Sequence, residues 1–395
     1  MTSGHAGTIA AGQPDYQVCV RCVVDSSVPG ASFDADGVCH YCRMHDTLTH
    51  QFPKGAEGAR RLAPIVEAIK KAGAGKKFDC VVGISGGRDS MYMLYKAVEM
   101  GLRPLAVHFN DGFGNPVAGE NMTKVCKALG VEFRIVTSDW RESKDLKLAF
   151  LKASTPDLEE GTDVGIAATL YAAAARENID YVLSGHCFRT EGIMPLDWNY
   201  LDGRYLKKVH ERFGTVKLRP WRADDAGFHL DIPQILYYAF WRRIKIVPIF
   251  YYLDYSKKVS EEFLVKEFGW VYPGAKYFDD LYQSVMTYVY RVKFNIDRRR
   301  INYSAFVREG QKTREEALAQ IAERYSIEDE KIIGLCLKRL GISREEFDKL
   351  VAQPPKTFRD YPSCYSLIRL GRWPIWLLSR MGVLPSITYA KYFES

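Results

Sequence analysis

No stretch of this 395-residue sequence is apolar for long enough to cross a membrane. The most apolar run, residues 235–253, is interrupted by Arg242, Arg243, Lys245 and Pro248, whereas a spanning helix needs about 20 mostly apolar residues. Residues 1–18 have neither a basic start nor an apolar run, so no export leader is read there. A soluble, cytoplasmic protein is expected. No glycine-rich turn is followed by Gly-Lys-Ser/Thr, which excludes a Walker A loop and argues against γ-phosphate transfer. Internal repeats are absent. The cysteines offer no disulfide framework: of nine, an odd number, four crowd between positions 19 and 42 and the rest are scattered. That distribution fits a metal site plus buried thiols in a reducing compartment.

Hydrophobic residues make up 47% of the chain and charged residues 26%, enough material for the core of a two-domain protein or one large domain with additions. The net charge of +7 suits a phosphate-rich ligand, a nucleic acid or an anionic membrane face without choosing among them.

Five segments are read along the chain. Residues 1–15 are small and polar and expected to be disordered. Residues 16–46 hold the paired cysteines. Residues 60–255 alternate short β-branched runs (78–85, 104–111, 132–137, 181–186) with amphipathic helical patterns. This predicts an α/β fold, a parallel sheet with helices on both faces, whose ligands bind beyond the carboxyl ends of the strands. Residues 256–350 are helical and aromatic, and residues 351–395 form a tail. Within the tail, RLGRWPIWLLSRMG has the pattern of an amphipathic helix, expected to pack on its own domain, with peripheral contact to a membrane or partner as the alternative.

Between the first strand and its helix lies SGGRDS, residues 85–90. Two glycines let backbone N–H groups converge on a ligand, and the helix N-terminus favours an anion. Ser85 and Ser90 add hydroxyl donors, and Asp89, an acid beside phosphate, is assigned to Mg²⁺. A plain strand-to-helix turn is the competing reading. Strand–SGGxDS–helix resembles the PP-loop of the ATP-pyrophosphatase superfamily. The resemblance implies an adenine nucleotide alpha hydrolase-like fold and a grip on the β,γ-pyrophosphate of ATP by Ser85, Gly86, Gly87, Asp89 and Ser90.

Further stretches, in order CVRC, CHYC, GISGGRDSMYML, LAVHFNDGF, Thr162–Asp163, GHCFRTE, FGWVYPGAKYFDD, DRRRINYSAFVREG and TREEALAQI, resemble the N-acetyl sugar amidotransferases of bacterial surface-polysaccharide (lipopolysaccharide, O-antigen) pathways. That family reads D-N-G where this chain has Asn110, Asp111 and Gly112, and K-H at Lys276–Tyr277, so a proton-handling histidine is missing here. The resemblance implies ATP-dependent conversion of an acetamido group on a nucleotide sugar to an acetamidino group, with ammonia from a separate glutaminase subunit. The chain itself has no glutaminase signature. Lys276 and Arg298 to Arg300 are candidates for steadying α-phosphate charge, against a solvated basic surface. His186, Thr190 and Glu191 follow the fourth strand, and His186 or Glu191 is expected to guide ammonia or bind substrate, unless His186 is a satisfied loop histidine. Gly185 and His108 are expected to border the nucleotide. Asp163 is either a helix N-cap or a contact to substrate or Mg²⁺.

Cys19-x₂-Cys22 and Cys39-x₂-Cys42, sixteen residues apart, have the spacing of a structural four-thiolate Zn²⁺ site, with His40 and His45 as substitutes only if a cysteine were excluded. The remaining cysteines, Cys80, Cys126, Cys187, Cys336 and Cys364, are read as isolated thiols. Two rivals stand beside the amidotransferase: a tRNA thiolase, which needs catalytic cysteines beyond the loop, and a non-enzymatic zinc-ribbon binding module. No nucleic-acid partner is expected.

Overall fold

The computed structural model describes residues 15–274, 279–381 and 386–393. The segment expected to be disordered falls almost entirely outside them. Five parallel strands form one sheet: β1 (Cys80–Gly83), β2 (Pro104–Asn110), β3 (Phe133–Thr137), β4 (Tyr181–Ser184) and β5 (Lys245–Pro248), in the order β3-β2-β1-β4-β5. Registers such as Val82↔Ala106 and Val82↔Leu183 place β1 at the centre, and its first three residues are buried.

Strand side chains alternate between faces, and the core divides accordingly. Val81, Leu105, Val107 and Val182 pack with α6 (Glu160–Arg176) and with α5 (Trp140–Ala153), whereas Cys80, Val82, Ala106 and Leu183 pack with α2 (Gly55–Ala72), α3 (Arg88–Glu99) and α4 (Pro116–Leu129). Each Val or Leu sealed this way contributes roughly 1.5–3 kcal/mol. A third core joins the cysteine module and α1 (His40–Gln51) to the C-terminal helices through Cys19, Cys42, Tyr282, Val285, Ile301, Leu337 and Phe347.

Helices α5 and α4 begin earlier than the periodicity predicts, and the helix opened by Thr313 begins where it is expected. Asp139 caps α5 by accepting from Arg141 N at 2.9 Å, nine residues before the apolar pattern becomes clear. α4 starts at Pro116 under an Asn115 cap and ends at Gly130 in the left-handed region, φ 64°. The helix Arg314–Ala322 carries the capping box of Thr313 and Glu316.

The interrupted apolar run holds β5, which sequence pattern alone does not reveal. Residues 232–251 pass from the helix Ile232–Leu236 through a wide turn, Tyr237–Trp241, into the edge strand. Pro248 is tolerated because β5 is an edge. No helix among the described residues is long and apolar enough to cross a membrane.

The chain leaves β1 toward β2 and β3, then returns to the other side of β1 with β4. The crevice where the strand order reverses lies between the carboxyl ends of β1 and β4. The loop 85–90 leaves one of those ends and Gly185 the other.

Candidate functional site

The loop after β1 is locked by its own hydroxyls. Ser90 Oγ accepts from Ser85 N at 3.0 Å and donates to Gly87 O at 3.1 Å. Gly86 has φ +79°, and a Cβ there would meet Ala118 O at 2.1 Å, so glycine lets the loop pack on the first turn of α4. Trp270 Nε1 donates to Gly86 O at 2.9 Å and fixes the turn from outside. Gly87 occupies the N-cap of α3 without a side-chain cap. Donors at that helix end face the crevice, an arrangement that favours an anion.

Two adjoining cavities open from the loop. One, of about 460 Å³, reaches along the strand ends past His108, Asp163 and Gly185. A smaller one, of about 300 Å³, lies by Gly87, Asp89, His186, Glu191 and Lys257. Ser85, Ser90, Gly185 and Asp279 border both. Most residues singled out from the sequence thus meet here. His108 holds Ile84 O through Nδ1 at 2.9 Å, and burial lowers its pKa. His186 lies 3.3 Å from Tyr251 OH and 3.4 Å from Glu191 Oε2.

Two candidates are placed elsewhere. Arg300 is held at the cysteine module, 3.0 Å from Asp25 Oδ2, because its helix packs there. Thr190 is fully buried in the short helix Phe188–Glu191. Asp163 is not an N-cap: α6 begins at Glu160 with Glu159 at the cap position, and Asp163 faces the larger cavity. Lys276 and Tyr277 lie outside the described residues.

Asp89 is bonded by Lys257 Nζ and Tyr255 OH. Burial opposes its charge, yet Lys257 and Arg88 hold the carboxyl below the usual carboxylate range. Lys257, unmarked in the sequence, is buried at the start of the helix Lys257–Phe268. A second carboxylate flanks the loop: Asp279 hydrogen-bonds Ser85, and burial raises its pKa. It arrives by an antiparallel bridge, Gly114↔Asp280, with Asn115 N donating to Asp279 O at 2.8 Å.

The far wall of the larger cavity is acidic. Asp111, Glu159, Asp163 and Asp280 line it, and burial raises the pKa of Glu159, Asp163 and Asp280. A buried cation stands among them. Lys147 Nζ reaches Asp111 Oδ2 at 2.9 Å and Thr162 Oγ1 at 2.8 Å. Burial disfavours its ammonium, but Asp111, Asp280 and Glu159 together raise its pKa. Gln283 donates to Glu159 at 2.5 Å and accepts from Arg298 at 2.6 Å.

The four module cysteines are fully buried and converge, with Sγ pairs at 3.6, 3.7 and 3.9 Å. A tetrahedral ion with metal–sulfur bonds of about 2.3 Å sets its sulfurs about 3.8 Å apart, so the donor set fits Zn²⁺. His40 and His45 stay outside the cluster: His40 Nδ1 accepts from Ser32 N at 3.2 Å, and His45 Nε2 lies 3.1 Å from Glu309. Arg314 donates to Cys19 O at 3.0 Å and to Cys22 O at 3.1 Å, tying the module to the C-terminal helices.

No curated protein matches the chain. Solved structures similar to it include the U34-tRNA thiolase NcsA from Methanococcus maripaludis with its 4Fe-4S cluster, 12% identical over 79% of this chain and 91% of the other, TM-score 0.31. The NH3-dependent NAD synthetase from Campylobacter jejuni is 14% identical over 68% and 98%, TM-score 0.29. The NMN synthetase from Francisella tularensis is 16% identical over 54% and 92%, TM-score 0.26. Residues 264–373, which supply Asp279, Asp280, Gln283 and the clasp on the cysteine module, match the C-terminal domain of WbpG-like LPS biosynthesis proteins.

Proposed function

We propose that the chain is an ATP-dependent amidotransferase that converts the acetamido group of a nucleotide-linked N-acetyl sugar into an acetamidino group, in the cytoplasm, for bacterial surface polysaccharide. The carrying observation is the locked loop 85–90 at the switch point, opening onto one continuous pair of cavities. An amide carbonyl is a poor electrophile, and joining its oxygen to phosphorus makes it a good one. The acetamido oxygen attacks the α-phosphorus, and the bond to pyrophosphate breaks. Ammonia then adds to the activated carbon, and AMP leaves with the former amide oxygen.

Backbone N–H groups of the loop and α3, with Ser85 and Ser90, hold the departing pyrophosphate. Mg²⁺, when bound, would neutralise phosphate charge, and Asp89 and Asp279 are the carboxylates that would hold it. Glu159 and Asp163, which burial makes weaker acids and so better bases than ordinary carboxylates, face the cavity where the nucleophile must shed a proton. Ammonia is supplied by a separate glutaminase subunit. The thiolase reading lacks support among the described residues: Cys126 and Cys187 are buried, with thiols pushed up to about 11 by burial, and neither borders either of the two cavities at the loop.

The test is an incubation with ATP, Mg²⁺, ammonium and a panel of UDP-linked N-acetyl sugars, read by mass. The expected product is lighter by the difference between O and NH, with AMP and pyrophosphate formed in equal amounts. ADP and phosphate, or an unmodified panel, would overturn the assignment.

A further inference from the structure

The helix Arg372–Arg380 turns its apolar stripe outward. Leu370, Trp373 and Leu377, at i, i+3 and i+7, share one face, with Trp373 77% and Leu370 86% exposed. Arg372 and Arg380 flank the stripe, and Leu367 and Arg369 extend it on the preceding helix Tyr365–Leu370. The inner side rests loosely on the sheet edge. Trp376, Ser379 and Tyr389 share a cavity of about 920 Å³ with Lys245 to Pro248 of β5.

From residue 361 to residue 393 the sequence has four cations, Arg369, Arg372, Arg380 and Lys391, and no acid. The chain entering β5 repeats the theme: Trp241 is 79% exposed beside exposed Phe240, and Arg243 and Lys245 are exposed as well. Exposed indoles with leucines and arginines, on a tail that carries no acid from residue 361 to residue 393, are the composition of a surface that inserts at a headgroup boundary and is drawn there by negative charge.

We propose that the tail hairpin, with the Phe240–Trp241 turn, docks the protein on an anionic lipid bilayer. The proposal is independent of the reaction. A protein partner would be met by an apolar stripe with mixed charge at its rim, whereas the exposed charges flanking this stripe, Arg369, Arg372 and Arg380, are all basic. Lys391, on the neighbouring helix Ser386–Phe393, is half-buried where its charge acts on Asp163, so the exposed cations of the rim are Arg369, Arg372 and Arg380.

The test is co-sedimentation of the full chain with vesicles of phosphatidylglycerol and phosphatidylcholine, against vesicles of phosphatidylcholine alone. Binding to the anionic vesicles only, weakening with salt, is expected. Trp373→Glu with Leu377→Glu should abolish it, and Arg372→Gln and Arg380→Gln should each weaken it about fivefold. These side chains are exposed, so an unchanged melting temperature confirms folding. Failure of the wild type to bind anionic vesicles, or unaltered binding by the double glutamate variant, overturns the proposal. So does an oligomer, or a complex with a glutaminase, that dissociates on Trp373→Glu while vesicle binding persists.

Discussion

Lys147 Nζ stands 2.9 Å from Asp111 Oδ2, with both side chains sealed from solvent and three further carboxylates at the same cavity wall. Removing the cation leaves Asp111 uncompensated. Lys147→Met is expected to cost about 3–5 kcal/mol, read as a lower urea midpoint with an unchanged slope. If the midpoint holds, the acids are neutral and the pair is dispensable.

Gly86→Ala places a methyl group against Ala118 O in a backbone conformation that disfavours a side chain. The loop should shift and ATP·Mg²⁺ affinity should fall by more than about tenfold in titration calorimetry, since a lost charge-assisted contact is worth about 1.5–3 kcal/mol. Ser90→Ala removes the acceptor of Ser85 N and should weaken binding in the same direction.

The cysteine cluster should hold one Zn²⁺ per chain by native mass spectrometry. Cys22→Ser is expected to lose the ion and lower the melting temperature, and a strong chelator should do the same to the wild type. A chelator-resistant melting curve would show that the module folds on its apolar contacts alone.

Asp157 accepts hydrogen bonds from Tyr200 N at 2.8 Å and from Tyr205 OH at 3.0 Å. Burial pushes its carboxyl up to about 7, above the value of about 4 in an unfolded chain. The folded state therefore holds this proton more tightly. The stability it provides is full below about pH 4 and is lost as pH rises to about 7, up to about 4 kcal/mol. Melting temperatures should fall across that window, and Asp157→Asn should flatten part of the fall.

The loop 85–90 was legible because strand, turn and helix are contiguous and each carries a local pattern. Likewise the cysteine pairs, whose spacing states their chemistry. Lys147 was not, because a lysine among leucines and alanines on an amphipathic helix has the pattern of a solvated face. Asp279, Lys257 and Glu159 reach the site by long-range packing that no short window contains. Asp163 looked like a cap because the turn before it, Glu160 to Thr162, lacks apolar periodicity. β5 was hidden by its brevity and by the charges of an edge strand.

The clasp of Arg314 and Ser304 on the cysteine module joins residues 281 to 295 positions apart. During synthesis at about 5–20 residues per second, the module leaves the ribosome roughly 15 to 60 seconds before its clasp exists. Its thiols must survive that interval unsheltered, so early capture of an ion would protect the nascent chain from misoxidation long before it contributes to the finished fold.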